Sequence, residues 1–383
     1  MNKIIFKINI ISFSIIYYIF RFLFKVDKKK LIFISYTGKK FDCNPKYILE
    51  YMLENKYEFK YIVTDNNNVI NYNNKNVKQV NIKSIKFLYQ LATSKYWINN
   101  STMINALKPK KTQIYIQTWH AAGAFKKFGL DIIDDRSDDK KIWNKDSNNW
   151  DILICSSKKV KDIYANAFKI NPNKVLPLGL PRNDFFCSLD NIKNSKHKIN
   201  NKIGNESNKK ILLYAPTFRD GKDFNLNMDL RNMYNNLNKE FKLILKLHPN
   251  LSKNKIEIDD DIKNFVYNFT SHEDTQTLLA ATDILITDYS SIIFDFAITG
   301  KPMIFYSFDL DEYKNKTRGF YYDYEKFVPG PIVKNEYELI NVLKKQEVLN
   351  YSKEDILRFA NEFNESLDGN ATRRVVDLIV NEK

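Results

Sequence analysis

Two parallel α/β sheets in succession, preceded by an amphipathic helix, are the fold class that this sequence predicts, and three observations predict it. From Leu31 onward, apolar runs of strand length alternate with stretches of helical periodicity. The alternation is broken by a polar, Asn- and Lys-rich stretch, Asn191–Lys210, and then restarts. Finally, 383 residues of which 44% are hydrophobic fill two cores more readily than one. The expected division is 1–30 for a membrane-associating helix, 31–200 for an N-terminal domain and 201–383 for a C-terminal domain.

The N-terminus is apolar from Ile4 to Phe24 but carries Lys7 and Arg21, which leaves Ile8–Phe20 as its uncharged core. That falls short of the roughly 20 residues a membrane span needs. On a helix at about 100° per residue, Lys3, Lys7, Ser14, Arg21, Lys25 and Lys28 share one narrow face while Ile, Phe and Tyr fill the remainder. The segment reads as a helix lying in the plane of a membrane surface, with the run Lys28–Lys30 at its end. A span with Lys7 and Arg21 reaching toward the interfaces is the second reading. A signal peptide is disfavoured, because Lys and Asp stand where a cleavage site needs small residues.

Leu31–Tyr36, Phe59–Asp65, Tyr96–Asn99, Gln113–Trp119, Asp151–Ser156 and Val175–Leu178 read as strands of a first sheet, with a helix at Tyr47–Asn55. Ile211–Thr217, Phe241–Pro249, Asn264–Phe269, Ile284–Asp288 and Pro302–Phe308 read as strands of a second, with a helix at Thr275–Thr282. A last helix, about Lys353–Asn381, is placed to pack back across the hinge. Strands alternating with helices imply crossover connections, so each half reads as Rossmann-like. Ligands of such sheets bind beyond the carboxyl ends of the strands, here in an expected cleft between domains. No internal repeat, P-loop or GxGxxG occurs.

A net charge of +15 favours acidic partners such as a membrane surface, a nucleotide or a phosphate polymer. Nucleic acid is disfavoured, because the lysines are scattered and no recognised module is present. Cys43, Cys155 and Cys187 lie far apart without a CxxC pair, so neither a disulfide framework nor a zinc site is indicated, and a reducing compartment fits.

Residues suited to chemistry collect at the predicted carboxyl ends of strands. His120 lies in QTWHAAGAFKKFG, where Ala121, Ala122 and Gly123 let a ligand approach the backbone and Lys126 and Lys127 add positive charge. His248 lies in KLHPN, before a proline that stops the strand. Arg182 (LGLPRND), Arg219 (APTFRD) and Arg318 (TRGFYYD) follow other strand ends, and a guanidinium grips phosphate with two parallel hydrogen bonds. The stretch Asp283–Pro331 opens with a buried strand, turns at Asp288 and starts a helix at Ser290 and Ser291. There, backbone N–H groups, the positive end of a helix dipole and two hydroxyls offer an anion cradle. Singly, each feature has an ordinary structural reading: a histidine holding a turn, an arginine in a surface ion pair, a serine capping a helix. Together they argue for a pyrophosphate site with a histidine as general base toward a hydroxyl nucleophile. Asp309 and Asp311 read as a carboxylate pair or as an ordinary loop, and no metal is assigned.

With those motifs in place, the chain resembles the CDP-glycerol glycerophosphotransferases of teichoic-acid synthesis, bacterial enzymes of two-domain GT-B fold. The resemblance rests on WHAAGAFKKFG (Trp119–Gly129), GLPRND (Gly179–Asp184), LYAPTFRD (Leu213–Asp220), KLHP (Lys246–Pro249), TDYSSIIFDF (Thr287–Phe296) and RGFYYD with PGP (Arg318–Asp323, Pro329–Pro331), in the family's order. It implies CDP-glycerol or a related CDP-polyol as donor, and no cofactor. Its donor-binding residues would be Trp119, Ala121, Ala122, Gly123, Arg182, Pro216, Thr217, Lys246, Leu247, Ser290, Ser291 and Asp295. His120 would be the catalytic base and His248 would steady the phosphates, while Lys126, Arg219 and Arg318 are candidate contacts to acceptor or phosphate. A hydroxyl of an undecaprenyl-linked glycan would attack the phosphorus nearest the glycerol and CMP would leave, at the cytoplasmic face of the cell membrane with the protein bound peripherally. A single catalytic module resembles the short priming enzymes more than the longer polymerases. The alternatives are a CDP-ribitol ribitolphosphotransferase, a nucleotide-sugar glycosyltransferase of the same fold, and a non-enzymatic membrane-bound binder of anionic polymer.

Overall fold

The computed structural model describes residues 2–104, 107–132, 137–205, 209–217, 219, 226–247, 256–270, 274–314, 319–345 and 351–381. The chain divides into two compact units: Met1–Ala121 with Phe128–Asp184 and Glu365–Lys383, and Ala122–Lys127 with Phe185–Asn364. The motif around His120 is therefore shared, with Trp119–Ala121 in the first unit and Ala122–Lys127 in the second.

The first unit is built on strands β1 (Asp27–Ile34), β2 (Lys60–Thr64), β3 (Val77–Val80), β4 (Ser94–Asn99), β5 (Ile114–Gln117), β6 (Ile152–Cys155) and β7 (Val175–Pro177). They form one parallel sheet in the order β3-β2-β1-β4-β5-β6-β7. Helices α1 (Asn2–Leu23), α2 (Cys43–Glu54), α3 (Ile85–Thr93), α4 (Ser137–Ser147) and α5 (Lys158–Phe168) belong to it. Leu31, Phe33, Ile98, Ile116 and Ile154 of the sheet pack with Ile48, Leu49 and Met52 of α2.

The second unit carries β8 (Lys210–Tyr214), β9 (Phe241–Leu245), β10 (Val266–Asn268), β11 (Ile284–Thr287), β12 (Met303–Tyr306) and β13 (Ile332–Val333). These are parallel too, in the order β10-β9-β8-β11-β12-β13. Its helices are α6 (Leu189–Lys202), α7 (Leu230–Leu237), α8 (Thr275–Ala281), α9 (Ile292–Ala297), α10 (Leu310–Glu312), α11 (Tyr324–Phe327), α12 (Glu336–Lys344) and α13 (Lys353–Phe363), and a last helix, α14 (Ala371–Val380), belongs to the first unit. Both sheets thus follow the doubly wound order, in which the first strand lies beside the fourth.

Four sequence expectations change. The stretch Asn191–Lys210 is not a linker but mostly α6, which Ser188 caps by accepting a hydrogen bond from Asn191 N and which buries Ser195 and Ile199. Its buried face is too narrow and polar to register as helical periodicity. The last helix is two helices, because Ser366 (φ 61°) and Gly369 (φ 72°) take left-handed backbone between them. The run Lys28–Lys30 lies in β1 rather than at a helix end, and Lys30 is buried with its ammonium donating to Thr93 Oγ1 at 2.7 Å. β1 also begins at Asp27, ahead of the expected boundary at residue 30.

Helix α1 lies on the first unit. Phe13 stacks on Phe87, Tyr17 meets Trp97 edge-on and donates its hydroxyl to Lys108 O, and Arg21 donates to Pro109 O. Ile11, Ile15, Tyr18, Ile19, Phe22 and Leu23 remain exposed. Among the described residues no helix is long and apolar enough to cross a membrane.

Helix α14 supplies Val375, Val376 and Ile379 to the core of the first unit, and Tyr96 donates its hydroxyl to Ile379 O at 2.8 Å. The final segment is thereby tied to a sheet nearly the whole chain away. Ile379→Ala is expected to lower the stability of the first unit by about 3 kcal/mol, read as an earlier urea transition of near-ultraviolet circular dichroism.

Candidate functional site

In each sheet the strands that part at the switch point, β1 from β4 and β8 from β11, leave backbone groups to be satisfied by side chains. At the first switch point Asn100 does this: its Oδ1 accepts from Tyr36 N at 2.8 Å and its Nδ2 donates to Ser35 Oγ at 3.2 Å. Ser101 Oγ accepts from Thr37 N. The turn is tight, with Tyr36 (φ 46°) and Thr37 (φ 54°) both left-handed.

His120 follows β5 and meets this turn. Its Nδ1 lies 2.7 Å from Asn100 O. A carbonyl accepts, so Nδ1 carries a ring proton, and in the neutral form of the ring the basic lone pair is on Nε2. Trp119, at φ 48°, is also left-handed and is fastened by Gln117 Oε1 on its N–H and Asn44 Nδ2 on its carbonyl. Arg182 is buried, and its Nη1 donates to His120 O at 3.0 Å and to Cys43 Sγ at 3.0 Å. Ala121 O accepts the Tyr164 hydroxyl at 2.6 Å. Thus the expected base, the expected arginine and the tryptophan come together, and the arginine braces the backbone of the histidine.

Ala122 and Gly123 are buried in the second unit, where a Cβ added at Gly123 would meet the Phe294 ring at 2.6 Å. The smallness of Gly123 serves packing there. Lys126 pairs antiparallel with Phe320, and its neighbours seal the pairing through Lys127 N to Gly319 O and Tyr321 N to Phe125 O.

At the second switch point Asp288 takes the part that Asn100 plays in the first. Its Oδ1 accepts from Thr217 N at 2.8 Å and Tyr289 N at 2.5 Å. Thr217 Oγ1 is buried with no hydrogen-bond partner among the described residues, and Pro216 precedes it half-buried. Serines 84, 157, 188 and 352 each cap their helices through the side chain, whereas Ser291, at the N-cap of α9, makes no such bond. Among the described residues Ser290 Oγ accepts a long 3.4 Å bond from Ile292 N. Both hydroxyls are half-buried and largely uncommitted to the helix. Lys246 Nζ donates to Phe269 O and Thr270 O, Leu247 N to Thr270 Oγ1, and Asp295 is buried. His248 and Arg318 lie outside the described residues.

Arg219, a candidate contact to acceptor or phosphate, engages carboxylates with its fork. Nε and Nη2 meet Asp309 at 2.8 and 2.9 Å, Nη2 meets Asp288 at 2.9 Å and Nη1 donates to Thr217 O. The rings of Tyr289, Phe308 and Tyr313 stand around its guanidinium. Burial would weaken this cation, but Asp288 and Asp309 outweigh it and hold Arg219 charged. At Asp309, burial pushes the carboxyl up, yet Arg219 and the Tyr289 hydroxyl pull it below the usual range.

Sequence reasoning missed Asn99, Asn100, Ser101, Tyr36 and Asp288 as organisers of the site. The doublet at the end of YWINN and the aspartate of ITDYSS were visible, but strand order, which makes them neighbours of β1 and β8, is not written in periodicity.

A family model described as CDP-Glycerol:Poly(glycerophosphate) glycerophosphotransferase matches residues 15–381. The teichoic acid poly(glycerol phosphate) polymerase of Bacillus spizizenii strain W23 is 35% identical over 99% of this chain and 99% of its own length. The teichoic acid ribitol-phosphate primase of the same organism is 35% identical over 76% of each. The wall teichoic acid polymerase TagF superposes with a TM-score of 0.87 at 29% identity, covering 96% of this chain and 93% of that one. Another TagF structure, of a variant soaked with CDPG, gives 0.84 at 30% identity, covering 93% of this chain and 89% of that one.

Because its folded value is depressed, Asp309 adds stability that is fully present above the ordinary aspartate value near 4 and is lost as pH falls through the folded value. Thermal unfolding between about pH 7 and 3 is expected to show an acid loss of stability that is reduced in Arg219→Met, which lacks the partner.

Proposed function

Because the chain belongs to the CDP-glycerol:poly(glycerophosphate) glycerophosphotransferase family and is therefore a phosphotransferase of teichoic-acid biosynthesis, we propose that it moves glycerol phosphate from CDP-glycerol to a hydroxyl of a membrane lipid-linked acceptor, releasing CMP. The observation that carries this reading is His120, whose Nδ1–H is given to Asn100 O so that Nε2 is the basic nitrogen. Nε2 takes the proton of the acceptor hydroxyl as its oxygen bonds to the phosphorus nearest the glycerol. The bond from that phosphorus to the bridging oxygen breaks, and CMP leaves with the electron pair. The pyrophosphate is assigned to the hydroxyls of Ser290, Ser291 and Thr217 and the ammonium of Lys246. His248 and Arg318 are assigned to steady the phosphates as the transition state gathers charge. Arg219 acts one step back, holding Asp288 so that Asp288 orders Thr217 and Tyr289.

Purified protein given CDP-glycerol and a lipid-linked acceptor is expected to release CMP. His120→Gln should lower kcat by about 10²- to 10⁴-fold with KM for CDP-glycerol nearly unchanged. Release of UMP or UDP from UDP-sugars without CMP from CDP-glycerol overturns the assignment. CDP-ribitol is the second reading, supported by the likeness to the ribitol-phosphate primase. Mass spectrometry of the product from each donor separates the two.

The same reading places the protein peripherally on the cytoplasmic face of the membrane, where a nucleotide donor and a lipid-linked acceptor meet. Its support is α1, which faces the first unit with Phe13 and Tyr17 and leaves Ile11, Ile15, Tyr18, Ile19 and Phe22 uncovered. Removing residues 1–30 would also take the first residues of the central strand β1, so substitution is the sharper probe. Ile15→Asp with Phe22→Asp is expected to weaken sedimentation with anionic vesicles by about 10-fold or more while thermal unfolding is unchanged. Full retention on vesicles at high salt contradicts this anchor.

A further inference from the structure

One buried carboxylate clamps the turn that holds His120. Asp146, near the end of α4, is fully buried, and its Oδ2 accepts from Met103 N at 3.0 Å and from Trp150 Nε1 at 3.2 Å. The Tyr115 hydroxyl donates to the same oxygen over a long 3.5 Å and accepts from Asn99 Nδ2 at 2.8 Å. Asn99 and Met103 bracket Asn100, the residue whose carbonyl takes the proton of His120 Nδ1. One oxygen thus fastens this turn at its far end directly and at its near end through Tyr115.

The second connection is through rings. The Trp150 ring that donates to Asp146 packs edge-on to Phe168 at 4.9 Å between centroids, and Phe168 packs edge-on to Trp119 at 4.8 Å. Trp119 adjoins His120 and lies 4.4 Å from its ring. Both routes from Asp146, hydrogen-bonded and aromatic, end on the two neighbours that set the imidazole's orientation.

Burying a carboxyl for shape alone is wasteful. Oδ1 of Asp146 has no hydrogen-bond partner among the described residues, and burial pushes the group up to about 7. A leucine would fill such a place without that cost.

We propose that Asp146, through Met103, Tyr115 and Asn99, is the positioning residue for His120, holding the 99–103 turn so that His120 keeps its Nδ1–H tautomer and aims Nε2 at the reacting hydroxyl. The proposal rests on His120 as the base. Asp146 is fully buried, so its loss is read in turnover and in the imidazole, not in donor affinity.

The test compares Asp146→Ala, Asp146→Asn and Tyr115→Phe with the unaltered full-length protein, by steady-state kinetics with CDP-glycerol and by nitrogen-15 NMR of labelled histidine. His120→Gln supplies the assignment of the His120 signal. Asp146→Ala is expected to lower kcat by about 30-fold with KM within about 3-fold, since a misplaced reacting group costs rate rather than binding. Asp146→Asn, whose carboxamide oxygen can still accept from Met103 and Trp150, should recover most of that rate. Tyr115→Phe keeps the ring packing and loses the hydroxyl, so a kcat loss of about 5-fold is expected even where Asp146→Ala fails to fold. In Asp146→Ala and Tyr115→Phe the His120 signal should move from a pure Nδ1–H form to a mixture of tautomers. Unchanged kcat and an unchanged His120 signal in folded Tyr115→Phe overturn the proposal, as does equal loss in Asp146→Ala and Asp146→Asn. Full activity of His120→Gln removes the underlying assignment of the base and this proposal with it, whereas a dead His120→Gln beside fully active Asp146→Ala and Tyr115→Phe refutes the positioning role alone.

Discussion

Where two parallel strands of a sheet part, the backbone groups at their ends lose their ladder partners, and unpaired polar groups below the surface are costly. Both halves of this protein meet the constraint with the same device. The residue just past the fourth strand turns its side chain back onto the backbone just past the first: Asn100 onto Tyr36 N, and Asp288 onto Thr217 N. Each also anchors a neighbour on its own side, Asn100 O taking His120 Nδ1 and Asp288 Oδ1 taking Tyr289 N. His120 and Tyr289 are therefore held by the closure of the sheet itself rather than by loops added onto it.

That closure carries strain in the first half. Tyr36, Thr37, Cys43 and Trp119 all adopt left-handed backbone without being glycine, a conformation costing on the order of 1 kcal/mol each. The partners that maintain it are specific: Asn100 and Ser101 on the Tyr36–Thr37 turn, Asp42 Oδ1 on Cys43 N, and Gln117 and Asn44 on Trp119. Such over-determined strain beside a histidine aimed at one carbonyl is the arrangement expected of a pre-set base.

Much of this was legible in the chain. Runs such as LIFISY, ILLYAPT and ILITD are apolar on both faces and could be nothing but central parallel strands once helices were seen between them, so both sheets and the edge carrying His120 followed. What periodicity could not reveal was lateral order. That Asn100 faces Tyr36, or that Asp288 faces Thr217, depends on β1 lying beside β4 and β8 beside β11. Composition misled at α6, because a helix that buries few side chains among asparagines and lysines has the statistics of a linker. It misled again at Lys30, an apparent headgroup contact that is a buried donor to Thr93. Arg219 shows a third limit: the sequence exposes the fork but not its partner, and here two aspartates, one some 90 residues away, take it.

The difference between the two switch points then has an electrostatic sense. Asn100 is neutral and sits by His120, the base of the proposed reaction, where a fixed charge would bias the proton's position. Asp288 is a carboxyl residue that takes the backbone N–H groups of Thr217 and Tyr289, in the pyrophosphate site proposed above. A bare carboxylate about 5 Å from a phosphate would oppose its binding by about 3 kcal/mol at an effective dielectric near 20. In the proposed site Arg219, ion-paired to Asp288 at 2.9 Å, would cancel that repulsion locally while leaving Oδ1 to order the two backbone N–H groups. Asp309, which takes Nε and shares Nη2 with Asp288, then fixes its angle, and the rings of Tyr289, Phe308 and Tyr313 stand around it. On the proposed reading, an arginine paired to two aspartates is in this way part of what would make an acidic strand end tolerant of a phosphate.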